Sequence, residues 1–89
     1  MNIKELRSEI DLIDKELKTL FIKRMSVVSR VIEYKKLHDM NVYDPKREQE
    51  MFEGLSSDLK EPLKTYYLAF LKNYVNISKD YQNHEKNNH

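Results

Sequence analysis

From Ile3 onward the apolar residues of this chain recur in steps of three and four: Ile3, Leu6, Ile10, Ile13, Leu17 and Leu20. After Arg24 the series resumes with Val27, Val31 and Tyr34. Such spacing keeps one side of an α-helix apolar, in a heptad-like series. Phe21, Val28 and Ile32 widen the stripe, and neither Gly nor Pro interrupts it as far as Met40. The pattern predicts one helix of about forty residues. The stretch HDMNVYDP breaks it. Asp44 followed by Pro45 predicts a new start, because Asp accepts a bond from the orphan amides and Pro suits the first helical position. This second helix is expected from Pro45 to about Phe52, with Gly54 as its C-terminal stop. In SSDLKEP, Asp58 with Glu61 three residues on has the spacing of a capping box, and Pro62 would fall in the first turn. The third helix is therefore expected to open at Asp58 and to present Leu63, Tyr67, Phe70, Tyr74, Ile77 and Tyr81 along one stripe. A polar tail, about 84–89, is expected to fray. The reading is all-α, with one long, one short and one medium helix in a single domain over residues 1–89.

Composition narrows what such a domain can do. One Gly and two Pro in 89 residues suit long helices. The net charge is +1 with acids and bases interspersed, so the basic face of a nucleic-acid binder is absent. Without Cys there is no disulfide, thiol nucleophile or zinc–thiolate site, and His38, His84 and His89 are too scattered to suggest a metal site. No cofactor is expected. No apolar run reaches the roughly 18 residues of a membrane span. MNIKELRSEI is charged and amphipathic, unlike a signal peptide, so a cytoplasmic location is the expectation.

Length adds a second chain to the picture. A helix of about forty residues is well over 50 Å long, far more than a compact domain of this size can cover. The short second helix and the third, of about 25 residues, leave part of the first stripe bare. An antiparallel copy packed along that stripe would cover it, and a twofold dimer is the commonest closed arrangement. An intertwined antiparallel homodimer is the expected assembly.

Charges on the stripe carry the candidate chemistry. Arg24 takes a position that the pattern reserves for a core residue, and a buried guanidinium needs a partner. It could snorkel to the surface, pair with Asp14 or Glu48, or grip a bound anion. Lys35 follows 11 residues later, only about 20° away around the axis and about 16 Å along it. Two long side chains so placed could converge on one small ligand, with Val28 and Val31 as a floor. Asp44, Arg47 and Glu48 share a face of the second helix, and Ser78 and Gln82 share one on the third. Taken singly, these are ordinary caps, surface pairs and boundary residues; together they put donors and acceptors for a small ligand on all three helices.

Four segments, LRSEIDLID, KRMSVVSRVIEYKK, DPKRE and ISKDYQ, give the chain its resemblance to the all-helical chorismate mutases, from about Leu6 to Gln82. The matching set is an Arg in the first turns, Arg then Lys 11 residues on, D-x-x-R-E, and S-x-x-x-Q. The resemblance implies an intertwined homodimer with two identical sites that converts chorismate to prephenate, on the way to phenylalanine and tyrosine, without a cofactor or metal. It implies that Arg24 and Arg47 bind the substrate carboxylates and that Arg7 reaches in from the other subunit. Lys35 and Gln82 would bond the ether oxygen, Glu48 and the backbone near Asp44 the ring hydroxyl, and Ser78 the ring carboxylate. Within one straight helix Arg7 and Lys35 are about 42 Å apart, so only an antiparallel partner could bring them together.

The reaction so implied is a pericyclic Claisen rearrangement. It needs no nucleophile or general base, but a flexible dianion must be held compact and donors must meet the charge growing on the ether oxygen. Two other readings compete: isochorismate-pyruvate lyase activity on the same scaffold, and a helical dimerisation or regulatory module without catalysis.

Overall fold

The computed structural model describes residues 2–41 and 43–87, with side chains as far as His84. It contains three helices, α1 (Ile3–Leu37), α2 (Pro45–Ser56) and α3 (Leu63–Asn87), and no strand among the described residues. Helix α1 is 35 residues long, nearly the whole of the uninterrupted stripe. Its start is capped by Asn2, whose side chain accepts from the Glu5 amide at 2.9 Å. Its end is a Schellman turn. His38 caps the helix, Asp39 takes the left-handed conformation (φ 51°), and the Met40 amide donates back to the Lys35 carbonyl at 2.9 Å.

Asp44 caps α2 as the sequence suggests, accepting from the Arg47 amide at 3.1 Å, with Pro45 in the first turn. Gly54, however, does not stop the helix, which continues to Ser56. The half-buried Phe52 and the buried Ser56 lie one turn apart, so packing carries the helix past a glycine that costs only about 1 kcal/mol. The Ser56 hydroxyl closes this end by donating to the Phe52 carbonyl at 2.6 Å.

The expected capping box at Asp58 and Glu61 does not form, since α3 begins at Leu63, after Pro62. The residue before a proline is pushed out of the α region, so Glu61 cannot sit in a first helical turn. Its carboxylate accepts instead from the Thr65 hydroxyl. At the other end, the tail expected to fray is helical through Asn87; residues 88 and 89 lie outside the described ones.

Helix α3 packs against both α1 and α2. The apolar core is small: Val28 and Ile32 from α1 meet Leu71 and Val75 from α3. These α1 residues come from the widening of the stripe. Its a/d series remains open, with Ile10 at 55%, Ile13 at 61% and Leu20 at 59% exposure. The molecule is accordingly extended, 55 × 27 × 15 Å, with a radius of gyration of 16.4 Å. A compact chain of this length would have a radius of about 12 Å. Its accessible surface is 7574 Å², against roughly 5,500 Å² for a compact monomer of the same mass. The excess is roughly 2,000 Å², and most of the exposed large hydrophobic residues lie along α1.

Candidate functional site

Where the C-terminal half of α1 faces α2 and α3, the helices enclose a cavity of about 430 Å³. Arg24 and Lys35 line it from α1, with Val27, Val28 and Val31 between them as the apolar floor. Asp44, Arg47, Glu48 and Met51 line it from α2 and its cap. Val75, Lys79 and Gln82 complete it from α3. An apolar floor flanked by cationic, acidic and amide side chains suits a small, multiply charged organic ligand better than a metal ion. Among the described residues no group of acidic or imidazole side chains could hold a metal.

The inward cation that the helix pattern makes conspicuous is held without a carboxylate. Arg24 donates from Nη1 to the Ser78 hydroxyl, and its guanidinium lies 4.3 Å from the centroid of the Tyr74 ring. Ser78 is itself buried (4% exposed) and donates a hydrogen bond to the Tyr74 carbonyl at 3.2 Å. Neither proposed carboxylate partner, Asp14 or Glu48, pairs with Arg24 among the described residues. A hydroxyl and a ring face orient the cation without neutralising it, so its charge remains available to a ligand.

Lys35 reaches across to α3, where its Nζ donates to Gln82 Oε1 at 3.5 Å. That contact engages the amide oxygen and leaves the amide nitrogen of Gln82 as a donor. A further rung, Ser29 Oγ to Tyr81 Oη at 3.0 Å, ties the same two helices between these pairs. Arg47 commits its backbone amide to the Asp44 cap and is among the residues that line the cavity.

Of the residues singled out from the sequence, Arg24, Lys35, Asp44, Arg47, Glu48 and Gln82 thus line one cavity. Ser78 stands behind Arg24 rather than on the wall. Arg7 is exposed on the N-terminal part of α1 and lies outside the cavity. Sequence reasoning missed Lys79, whose Nζ is 2.6 Å from Glu48 Oε1 and 5.2 Å from the Tyr43 ring centroid. The available signal was Val75, Lys79 and Gln82 at i, i+4 and i+7, one face of α3.

A second cavity, about 660 Å³, opens beside Arg24 and is lined mainly by apolar groups, among them Leu17, Leu20, Phe21, Phe70 and Ile77. It continues the bare stripe of α1.

Fold and cavity together define a class, a helical protein built around a small cavity lined by charged and polar side chains. Comparison with known proteins makes it specific. Residues 6–83 match the model of the family described as chorismate mutase type II, and the chain belongs to that family. It is 43% identical to the T-protein of Haemophilus influenzae over an alignment covering 66% of this chain and 18% of that protein. It is 41% identical to the bifunctional chorismate mutase/prephenate dehydratase of Aquifex aeolicus, over 60% of this chain and 15% of that protein. The chain thus spans less than a fifth of the length of either relative. No solved structure matches it significantly. Among the described residues no helix is long and apolar enough to cross a membrane.

Proposed function

We propose that this chain is a chorismate mutase, rearranging chorismate to prephenate, and that it acts as an antiparallel homodimer with two shared sites. The observation that carries this reading is the convergence of Arg24, Lys35, Arg47, Glu48 and Gln82 on one valine-floored cavity. Arg24 and Arg47 grip the two carboxylates, joined by Arg7 of the other copy, and Ser78 acts on the ring carboxylate through Arg24, whose guanidinium it holds. Glu48, with the backbone near Asp44, accepts from the ring hydroxyl. Held so, the enolpyruvyl side chain lies over the ring, and the entropy of folding the substrate is met by binding. The C–O bond then breaks as the new C–C bond forms, with no proton moved. Negative charge grows on the ether oxygen, where Lys35 and the Gln82 amide donate to it. The bare stripe of α1, and a total surface roughly 2,000 Å² above that of a compact monomer, fit the interface of an obligate dimer.

Purified protein given chorismate should deplete its absorbance and yield prephenate, with isochorismate run in parallel. Turnover of isochorismate to salicylate and pyruvate in place of chorismate would establish the lyase reading instead; turnover of neither would leave a non-catalytic module. Arg24→Ala should lower kcat/KM by at least a hundredfold, the scale of losing a buried ionic contact to substrate. Its sedimentation should still be that of the wild type. A variant that falls apart into monomers would make Arg24 a structural residue.

A further inference from the structure

Among the charged groups on the cavity wall, Lys79 has no role in the reading above, on which the present inference rests. It is bound on two sides: Glu48 at 2.6 Å and the face of Tyr43 at 5.2 Å, so it joins α3 to α2 and to the segment that enters α2. Both members of the ion pair are only partly exposed, 27% for Lys79 and 22% for Glu48. Screening by solvent is therefore incomplete. We propose that Lys79 is the positioning residue of Glu48 and the charge balance of the site. By holding one carboxylate oxygen it leaves the other to accept the ligand's hydroxyl, and by cancelling the charge of Glu48 it prevents that group from repelling a dianion.

The charge count supports this. Arg24, Lys35, Arg47 and Lys79 stand against Asp44 and Glu48, a formal charge of +2 on the cavity wall. This excess of positive charge, to which Arg7 of the other copy adds in the proposed dimer, suits a dianionic ligand. Loss of Lys79 reduces the charge to +1 and leaves Glu48 as an uncompensated acceptor beside two incoming carboxylates. Loss of the charge on Glu48 as well returns it to +2. The role therefore has a signature that general damage to the fold would not produce: a second substitution in the site repairs the first.

Lys79→Met should raise KM for chorismate about tenfold, the scale of one unit charge a few ångströms from a carboxylate at a partly exposed site. The change in kcat should be less than about twofold, since Lys79 does not face the breaking bond. Lys79→Arg should retain most of the affinity. In Glu48→Gln/Lys79→Met, KM should fall at least about threefold below that of Lys79→Met, because the uncompensated charge is gone and the amide oxygen still accepts from a hydroxyl. An unchanged KM in Lys79→Met, or a double variant as weak as the single, overturns the proposal. Titration of the same isotope-labelled proteins with malate, a hydroxylated dicarboxylate, gives a second readout by chemical shift without turnover. Failure of the wild type to convert chorismate would sink the mutase reading alone. The malate affinities would still have to fall in Lys79→Met and recover in the double variant, and equal affinities would overturn the role of Lys79.

Discussion

A mixture of two inactive proteins should become active. In the proposed dimer, Arg7→Ala removes a cation that one copy lends to the other, and Lys35→Ala disables the site of its own chain. The geometry makes this a strict test. The two residues are 28 positions apart on one uninterrupted helix, about 42 Å along its axis, and no side chain spans that distance. If each site takes Lys35 from one chain and Arg7 from the other, both homodimers carry two broken sites. A heterodimer carries one site with both substitutions and one with neither. Random exchange in an equimolar mixture puts about half the molecules into heterodimers, so about a quarter of all sites become intact. Turnover of chorismate should rise from near zero to about a quarter of the wild-type rate per chain. The mixture is unfolded and refolded together, heterodimers are counted by native mass spectrometry, and the rate is followed by chorismate absorbance. Confirmed heterodimers without recovery would falsify the shared site, as would an Arg7→Ala protein that is fully active alone.

Two further outcomes follow from single contacts. In the proposed reaction Gln82 offers its amide nitrogen to the ether oxygen, since its own oxygen accepts from Lys35. Gln82→Glu should therefore work only with a protonated carboxyl, shifting the activity optimum toward acid, whereas the wild type should show no acid optimum of this origin; overlapping pH–rate profiles would refute the assignment. Gly54 lies within α2 with no atom closer than 4 Å to the position of an added Cβ. Gly54→Ala should stabilise the protein by about 0.5–1 kcal/mol in urea unfolding, with unchanged kcat/KM.

Much of this site was legible before any coordinates because helical periodicity is a statement about direction. Arg24 and Lys35 lie about 20° apart around one axis wherever the helix is intact, and Val28 and Val31 between them share that side. The Asp44–Pro45 start was equally plain, since cap chemistry is local. The boundaries that misled were those decided by competition. At Gly54 the packing of Phe52 and Ser56 outweighed a weak helix breaker. At Asp58 a capping-box spacing lost to the constraint that Pro62 places on its neighbour. Lys79 was hidden for another reason. A lysine on a helix is usually solvated, and only the fold shows that this one faces Glu48 across the gap between α3 and α2.

The chain's own core consists of Val28, Ile32, Leu71 and Val75. So few buried groups leave little margin against the conformational entropy of ordering three helices. In the paired form proposed here, most apolar burial belongs to the interface, so association and folding are one equilibrium and stability depends on protein concentration. Dilution would then act as a denaturant. The melting temperature should fall as the sample is thinned, and expression level would govern how much of the protein is folded as well as how much is made.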